Sequence, residues 1–294
     1  MPHECVGIDF GGTKIEGVLI SDSVITPVEK IRLQTPQNDY EKILETITYM
    51  IETLMKNSSR KCPVGICIPG NIQTGIIKNS NVQCLVGKNF VSDLKIRLNI
   101  KIITENDANC FALAESIAGA GVGYNTVFGA TIGTGVGGGI VMNGNIYRGS
   151  THTAGEWGHH IIHQDGRVCH CGKNGCVEAY ISGNALEERW SNLTGNIKKP
   201  LKDIVRGDKV NKLWKSEFLH NFGIGLGNIA AILDPNVIVL GGGVSNVDFL
   251  YTEGVLEVHK LGLDGVKIPI LKNKLGDSAG VYGACMLALK DDSV

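Results

Sequence analysis

Short apolar runs that end in glycine-rich turns recur along the chain. Residues 5–10 (CVGIDF) and 15–20 (IEGVLI) flank the turn GGTK, and residues 126–144 repeat the same arrangement around GTG. Short runs rich in β-branched residues predict strands, and two such runs joined by a tight glycine turn predict a β-hairpin. The pattern therefore predicts two hairpins with glycine tips.

The two predicted hairpins are similar to one another. Their glycines align in three pairs: Gly7 with Gly129, Gly11 with Gly133, and Gly17 with Gly139. Self-similarity of this kind indicates an internal repeat. We therefore expect two related halves.

The remaining periodicity alternates between strands and helices. Apolar residues at spacings of three and four follow Asp39, which predicts an amphipathic helix with Asp39 as its N-cap: Ile43, Ile47, Met50, Ile51 and Leu54. Residues 62–70 predict a buried strand that ends in a Pro-Gly turn. Residues 100–121 predict a strand, a polar turn and a helix, with Asp107 at or near the helix start. Near the end, NVIVL predicts a buried strand, and residues 278–290 predict a helix of small residues.

Composition narrows the class of protein. The chain has 294 residues, enough for two domains or one large one, and 43% of them are hydrophobic. Its 28 Lys and Arg balance 29 Asp and Glu, which predicts neither a nucleic-acid nor a membrane partner. No apolar run reaches the roughly 18 residues of a membrane span, and no secretion signal is evident. Nine cysteines, most of them scattered, favour reduced thiols in the cytoplasm over a disulfide framework.

The first hairpin resembles a P-loop without being one. GIDFGGTK has the glycines of that motif, but Thr13 and Lys14 are reversed and a strand follows where a P-loop requires a helix. A glycine tip can still bind phosphate through its backbone amides, and Asp9 could hold Mg²⁺ through water. A plain turn is the alternative. The second loop, Gly133–Gly139, and a third glycine turn, Gly241–Gly243, together favour a bound nucleotide.

Asp107 is a candidate general base. It lies in the turn of ENDAN, between an apolar strand and a helix. A carboxylate there could accept a proton from a sugar hydroxyl that attacks phosphorus. The alternative for an isolated aspartate in this position is capping of the helix.

Residues 159–178 predict a metal site. Cys169, Cys171 and Cys176 with His159 supply three thiolates and one imidazole, the set that suits tetrahedral Zn²⁺. Four protein ligands close such a site, so the predicted zinc is structural. Which histidine binds stays open among His159, His160, His163 and His170, and we expect His170 to point away. The loop would also fix Glu156 and Glu178 as acceptors for sugar hydroxyls; two surface glutamates are the alternative.

The motifs in their order resemble the ROK family of sugar kinases and repressors across nearly the whole chain. The residues that carry this resemblance are DFGGTK (9–14), ENDANCFALAE (105–115), IGTGVGGGI (132–140), GEWGH (155–159), CHCGKNGCVEAYISG (169–183) and LDPNVIVLGGG (233–243). The cysteine motif with its upstream histidine is highly specific. The resemblance implies an α/β fold of two domains, the fold of actin, hexokinase and the heat-shock ATPases, with ATP and sugar in the interdomain cleft.

The resemblance also implies roles for single residues. ATP phosphates would meet Asp9, Gly11, Gly12, Thr13 and Lys14 on one hairpin and Gly133, Thr134, Gly135, Gly137 and Gly138 on the other, with Gly241 and Gly242 beside the adenosine. Asp107 would be the base. The sugar would contact Asn106, Glu156, His159 and Glu178, so that His159 serves both sugar and zinc. The implied cofactors are ATP, Mg²⁺ and structural Zn²⁺, and the implied assembly is a homodimer.

Domain boundaries and substrate follow from the same resemblance. We expect an N-terminal domain of residues 1–118 plus 282–294, and a C-terminal domain of residues 119–281 that carries the zinc loop. TPQNDYEKILETI, IPGNIQTGIIKNSN, TAGEWGHH and LGGGVSNVDFLY look closest to bacterial fructokinase/mannokinase. The expected activity is thus ATP-dependent phosphorylation of the 6-hydroxyl of a hexose, with fructose or mannose first.

Two other sugar specificities and two functions without catalysis are the alternatives. NDANCFALAES and GTGVGGGIVMNG are also similar to N-acetylglucosamine kinase, and the short segment between His159 and Cys169 resembles glucokinase spacing. The family's repressors carry a helix-turn-helix domain ahead of the first hairpin, for which a hairpin that begins at Cys5 leaves no room. A sugar-sensing regulator without catalysis would have lost Asp9 or Asp107, and both are present.

Overall fold

The computed structural model describes residues 4–21, 25–59, 61–73, 75–80, 82–195, 197–206, 211–261 and 267–291. The chain divides into two compact units, each built on a sheet with helices. The first unit is Met1–Gly119, Asn145–Ala154 and Leu275–Val294; the second is Ala120–Gly144 and Gly155–Lys274. The outermost parts of the expected first domain, residues 1–3 and 292–294, lie outside the described residues.

The first unit is organised around a five-stranded mixed sheet. Its elements are β1 (Cys5–Phe10), β2 (Lys14–Ile20), β3 (Pro27–Gln34), α1 (Tyr40–Lys56), β4 (Val64–Ile68), β5 (Asn71–Gln73), β6 (Ile76–Asn79), α2 (Phe90–Leu98), β7 (Ile102–Asn106) and α3 (Asp107–Ala118). The strand order is β3-β2-β1-β4-β7. β1 pairs antiparallel with β2 and parallel with β4, and β4 pairs parallel with β7. Strands β1 and β2 therefore form the predicted hairpin, and Lys14 begins a strand rather than a helix.

The two faces of this sheet bury different kinds of residue. Val6, Ile8 and Phe10 of β1 pack with the apolar stripe of α1, whose N-cap Asp39 accepts from the Lys42 amide as predicted. The opposite face packs against the C-terminal helix of the chain, α9 (Ala279–Asp291). Small residues on that helix let it approach the sheet backbone closely. The polar ends of the strands on this second face carry the candidate chemistry.

Replacing Gly65 by alanine is expected to destabilise the first unit by more than about 2 kcal/mol, since overpacking of a core costs at least that order. A Cβ at Gly65 would lie 1.8 Å from the Ala284 carbonyl oxygen of the C-terminal helix. Gly227→Ala is the matched control, because its nearest contact, Leu261 Cβ, is an ordinary 3.4 Å away. Urea unfolding of both variants measures the difference, and equal midpoints would contradict the packing argument.

The second unit repeats this plan. Its elements are β8 (Thr126–Ile132), β9 (Val136–Met142), α4 (Glu178–Ile181), α5 (Gly183–Thr194), α6 (Leu201–Val205), α7 (Lys212–Leu233), β11 (Val237–Gly241), α8 (Glu253–Leu261) and β12 (Ile270–Lys272). The remaining two elements, β10 (Asn145–Ile146) and α9 (Ala279–Asp291), belong to the first unit. Within the unit the strands follow the order β9-β8-β11-β12. No helix among the described residues is long and apolar enough to cross a membrane.

The predicted repeat is present, but one of its glycine pairs is shifted. β8 and β9 form an antiparallel hairpin and β11 lies parallel to β8, as β4 does to β1. Phe10 pairs with Ile15 across the first turn, whereas Ile132 pairs with Val136 across the second. The second turn is therefore one residue shorter. Gly17 consequently corresponds to Gly138, and its alignment with Gly139 was wrong.

The first unit includes two segments that the expected boundaries placed in the second domain. Residues 275–281 join it because α9 begins at Ala279 and packs as one continuous helix against β1 and β4. Residues 145–154 join it through side chains: Lys290 donates to Asn145 at 3.0 Å, and Arg148 pairs with Glu105 at 2.6 Å. Apolar periodicity cannot reveal such polar, long-range contacts.

Candidate functional site

The tip of the first hairpin presents bare backbone. The Gly11 amide donates to the Lys14 carbonyl, and Thr35 donates through its hydroxyl to the Gly11 carbonyl at 2.6 Å. Gln37 donates to the Gly12 carbonyl at 3.0 Å. These bonds fix the turn from the side of β3. The amides of Gly12 and Thr13 donate to no other described residue, which leaves them available for an anion.

A row of polar side chains crosses the first sheet next to this tip. Strand register places Glu16 beside Asp9, Asp9 beside Cys67, and Cys67 beside Glu105. Residues paired across neighbouring strands point to the same face. Glu16, at the outer end, is 2% exposed and pairs with Lys30 at 2.7 Å and with Arg32. Sequence reasoning had singled out only Asp9 from this row.

Asp9 is the carboxylate of the row that lacks a positive partner. Among the described residues no cation lies within ion-pair distance of it, whereas Glu16 has two such partners and Glu105 has one. Burial raises the pKa of Asp9 to about 6, with added contributions from the charges of Asp107 and Glu16. Hydrogen bonding from Cys67 opposes that shift. A carboxylate held in this way suits a divalent cation, and Asp9 is the residue that would hold Mg²⁺.

We expect Asp9→Asn to stabilise the magnesium-free protein at pH 7.5 by about 1–3 kcal/mol, the size of a pKa shift of one to two units. The folded-state pKa of Asp9, about 6, lies above the ordinary value of 3.8 for an aspartate in the unfolded chain. The unfolded chain therefore releases this proton first as pH rises, and the wild type loses stability between about pH 4 and pH 6. Asparagine removes that loss. Urea unfolding in magnesium-free buffer at pH 7.5 and pH 4.5 measures it, and the advantage should nearly vanish at pH 4.5.

Asp277→Asn is the matched control, because Asp277 is exposed on the same unit. Its stability should stay close to the wild type at both pH values. A gain for Asp277→Asn as large as that for Asp9→Asn would show a general charge effect and contradict the local explanation.

The turn after β7 presents Asp107 beside Asp9. Asn106, not Asp107, caps α3: its side-chain oxygen accepts from the Asn109 amide at 2.8 Å. Asp107 Oδ1 accepts only from the neighbouring Ala108 amide at 2.9 Å. Although the Asp107 side chain is exposed to solvent, the protein atoms around it raise its pKa above the ordinary value. Helix capping therefore does not account for Asp107, whose second carboxylate oxygen can accept a proton.

The second hairpin tip lies against two other glycine segments of its own unit. The Gly183 amide donates to the Gly133 carbonyl at 2.7 Å, at the start of α5. Gly242 has a φ of +79°, and a Cβ there would lie 2.4 Å from the Ile132 carbonyl oxygen. The amides of Thr134 and Gly135 donate to no other described residue. The structure thus brings the predicted phosphate loop and the predicted adenosine turn together.

Two glycines assigned to this loop have a packing role as well. Gly137 and Gly138 lie in β9, beyond the tip. The Trp157 indole donates to the Gly137 carbonyl at 2.7 Å. A Cβ at Gly138 would lie 2.7 Å from Trp157 and 2.8 Å from the Gly155 carbonyl oxygen. The missing side chains let the segment that carries Glu156 and His159 lie directly on the strand.

The four predicted zinc ligands converge. One donor atom from each of His159, Cys169, Cys171 and Cys176 lies within 4.8 Å of all the others. Gly172 and Gly175 take φ values of +87° and +76°, which only a tight turn with glycine accommodates readily. The Cys169 amide donates to the Lys173 carbonyl at 2.8 Å and closes that turn.

Two of the other histidines near the cluster are engaged elsewhere. His160 contacts the Asn228 amide at 3.0 Å, and His163 contacts the Asn221 side chain at 2.6 Å. His170 does not point away as expected: its Nδ1 lies 2.7 Å from Glu178 Oε1 and 3.9 Å from Cys169 Sγ, and His159, His170 and Glu178 form a second group whose donor atoms lie within 4.8 Å of one another. His159 is therefore the histidine positioned for the metal, and His170 is turned towards Glu178.

The donor set fits Zn²⁺. Three sulfurs and one imidazole nitrogen are the ligands of a closed tetrahedral site. Burial, together with the two neighbouring thiols, raises the pKa of Cys176 to about 12. A cation beside the three sulfurs would favour their thiolate forms. A bound zinc would hold the loop in place; with four protein ligands it would leave no position for chemistry.

The two predicted sugar-binding glutamates differ in their surroundings. Glu156 follows Gly155 and precedes the short 3₁₀ turn Trp157–His159, and its carbonyl accepts from the His159 amide. Glu178 is the first residue of α4, and its Oε2 accepts from the Val136 amide at 2.8 Å. We call residues 159–176, which carry the four predicted zinc ligands, the metal loop. Glu178 follows this loop and bonds to the second hairpin, a link that the sequence did not reveal.

A cavity of about 680 Å³ opens in the second unit beside these residues. Thr134 of the hairpin tip and Glu178 line it, together with polar residues of α5. Volumes of this order are typical of small-molecule sites. The cavity therefore offers room for a ligand where the phosphate loop and the metal loop meet.

Known proteins share this fold over its full length. The ROK hexokinase from Thermus thermophilus is similar, with a TM-score of 0.88, 30% identity and 99% of both chains covered. A ROK family glucokinase from Streptomyces griseus, solved in complex with glucose and AMPPNP, gives a TM-score of 0.82 at 28% identity over 98% of this chain and 99% of that one. These likenesses confirm the expected α/β fold of the actin-like ATPase type.

Sequence relatives agree with that comparison. An N-acetyl-D-glucosamine kinase of Mannheimia succiniciproducens is 36% identical over 300 residues, which cover 96% of this chain and 98% of the relative. The family model described as the ROK family matches residues 5–291. The match confirms the resemblance that the motifs indicated and spans nearly the whole sequence. The chain therefore belongs to the ROK family.

Proposed function

We propose that the protein is an ATP-dependent hexose kinase that phosphorylates the 6-hydroxyl of its sugar. The observation that carries this proposal is the Asp107 carboxylate, which is accessible, has a raised pKa and is not needed to cap its helix. Asp9 supports it as a second carboxylate, one that forms no ion pair with any of the described residues. The relatives named above, a hexokinase and an N-acetyl-D-glucosamine kinase, support the same reaction class.

The chain's residues divide the reaction among them. The amides of Gly12, Thr13, Thr134 and Gly135 would bind ATP phosphates, and Mg²⁺ held through Asp9 would neutralise phosphate charge. Asp107 accepts the proton of the 6-hydroxyl as its oxygen bonds to the γ-phosphorus. The bond from that phosphorus to the bridging oxygen breaks, and ADP leaves with the electron pair.

The sugar contacts are proposed as the resemblance implied them. The side-chain oxygen of Asn106 caps α3, so its side-chain nitrogen is the atom left to donate to a sugar hydroxyl. Glu156, His159 and Glu178 are the proposed contacts of the second unit. Zn²⁺ on His159 and the three cysteines would supply rigidity to that part of the site. It takes no part in phosphoryl transfer.

The identity of the sugar has two lines of support. The N-acetyl-D-glucosamine kinase relative, at 36% identity, favours N-acetylglucosamine. The stretches similar to fructokinase/mannokinase favour fructose and mannose. Both predict a neutral hexose with a free 6-hydroxyl. We place N-acetylglucosamine first, because its support covers the whole chain rather than separate stretches.

A coupled ADP-release assay tests the proposal. The purified protein with ATP·Mg²⁺ is offered fructose, mannose, glucose, N-acetylglucosamine, N-acetylmannosamine and allose, ranked by kcat/KM, and polyphosphate replaces ATP in a parallel series. We expect one sugar to lead clearly. Sugar binding without turnover of any sugar, in a folded and zinc-loaded sample, would refute the kinase and favour a sugar-sensing regulator. Light scattering of the same sample tests the proposed homodimer.

A further inference from the structure

We propose that Glu105 and Arg148 are positioning residues for the acceptor side of the reaction, acting through the turn that carries Asn106 and Asp107. The inference rests on the proposed kinase function. Arg148 Nε donates to Glu105 Oε2 at 2.6 Å. Glu105 lies in β7 directly before the two proposed site residues, and Arg148 lies in the segment Asn145–Ala154 of the same unit.

Glu105 uses both of its oxygens to hold the turn. Oε1 accepts from the Asn106 amide at 3.0 Å and from the Asn109 side chain at 3.0 Å. Oε2 accepts a hydrogen bond from the guanidinium of Arg148 and forms an ion pair with it. Asn109 in turn donates its own amide to the capping oxygen of Asn106 at 2.8 Å. Glu105 is therefore bonded to both residues that form the cap, and the cap sets the direction in which Asp107 leaves the strand.

Arg148 keeps Glu105 in that position. The Glu105 side chain is only 10% exposed, whereas Arg148 is 38% exposed. Removing one partner of such a pair leaves a buried charge without compensation, which is far more costly than the loss of a surface ion pair. Without Arg148, the Glu105 carboxylate would turn towards solvent and release the amides of Asn106 and Asn109.

The consequence for the reaction is specific. Asn106 is a proposed sugar contact and Asp107 the proposed base, so a displaced turn misplaces both groups that meet the acceptor. A displacement of about 1 Å can cost about 100-fold in rate. The glycine tips proposed to bind ATP phosphates are held by other bonds, from Thr35 and Gly183, and should stay in place. Sugar binding and turnover should therefore suffer while ATP binding does not.

Four variants test this: Glu105→Gln, Arg148→Gln, Arg148→Lys and the double glutamine variant. Arg97→Gln is the matched control, because Arg97 forms an ion pair with exposed Glu41 on the same unit. We expect Glu105→Gln and Arg148→Gln to lower kcat by about 10- to 100-fold. They should raise the KM for sugar several-fold, leaving the KM for ATP·Mg²⁺ unchanged. The double variant should be scarcely worse than the poorer single, and Arg148→Lys should recover much of the activity.

Other outcomes would overturn the proposal. A merely structural role predicts a lower unfolding temperature with both KM values unchanged and kcat reduced only in proportion to the folded fraction. Losses as large in Arg97→Gln would equally contradict it. If a glutamine variant does not fold, Arg148→Lys decides: its sugar KM should rise by less than the several-fold rise expected of Arg148→Gln, with the KM for ATP·Mg²⁺ unchanged, and equal changes in both KM values would contradict the proposal.

Amide hydrogen exchange separates this inference from the kinase proposal itself. Residues 105–110 should exchange faster in Glu105→Gln and Arg148→Gln than in the wild type or Arg97→Gln. Faster exchange in a protein that turns over no sugar would refute the kinase alone and retain the positioning of the turn. Unchanged exchange would refute the positioning, whatever the activity.

Discussion

Asp107→Asn should lower kcat by about 10²- to 10⁴-fold, the usual contribution of a general base. Asparagine keeps the shape of the side chain, and its oxygen can still accept from the Ala108 amide. Because Asn106 supplies the cap of α3, the helix should remain intact. The steady-state rate with the leading sugar and saturating ATP·Mg²⁺ measures the effect. Asp203→Asn removes an exposed carboxylate from the first turn of α6 and serves as control.

The pH dependence of the rate provides a second test of Asp107 as the general base. Desolvation by the surrounding protein atoms raises the pKa of Asp107, so its carboxylate should be protonated at a higher pH than that of an ordinary aspartate. The wild-type rate should therefore fall as pH drops through that pKa, and Asp107→Asn should lack this limb. A variant with near-wild-type kcat, or with an unchanged acid limb, would exclude Asp107 as the base.

Cys171→Ser should abolish stable zinc binding and much of the folding stability of the metal loop together. Free energies of zinc binding in small structural sites are about 10–16 kcal/mol, and that binding energy is also folding energy. Cys171 is the exposed member of the four ligands, so its replacement removes a ligand without opening a cavity. We expect metal analysis to fall from about one zinc per chain to nearly none, with a lower unfolding temperature.

Activity should fall in the same variant, because His159 and Glu178 lose the loop that orients them. Cys84→Ser is the control, since Cys84 is a partly exposed thiol outside the cluster. It should retain zinc, stability and rate. An unchanged zinc content in Cys171→Ser would remove Cys171 from the ligand set, and full activity without zinc would disconnect the metal from the sugar site.

Local features of the site were predictable from sequence. Strand-turn-strand patterning predicted both hairpin tips, and the spacing of Cys169, Cys171 and Cys176 predicted that the proposed metal ligands lie close together, as they do. The choice of His159 required the structure, which shows where His160 and His163 bind instead. The role of Asp107 as cap or as free carboxylate also required it, because the two readings differ by one residue in the start of the helix.

Long-range features were not predictable. Cys67 lies between Asp9 and Glu105 only because β4 inserts between β1 and β7, and strand order is not encoded in local periodicity. The pair of Glu105 and Arg148 joins residues 43 apart in sequence. Gly138 looks like a phosphate glycine in the motif, yet its backbone also accommodates Trp157. A motif shows that such a glycine is required more readily than it shows whether phosphate binding or packing requires it.

The shared strand order of the two sheets has a further consequence for ancestry. With Phe10 and Ile132 as equivalent pairing positions, Thr131 stands where the first unit has Asp9, and Gly137 stands where it has Glu16. β11 places Gly241 beside Thr131, as β4 places Cys67 beside Asp9. One copy of the motif is acidic, and the other is neutral and nearly without side chains.

If one ancestral segment was duplicated, its two copies now differ in charge at these positions. The acidic copy can attract a metal cation and accept a proton, whereas the bare copy admits an anion without repelling it. Both copies keep backbone amides at the hairpin tip that can meet an anion, and only the first carries carboxylates beside them. A dimer of either half alone would therefore carry this pair of carboxylates twice or not at all.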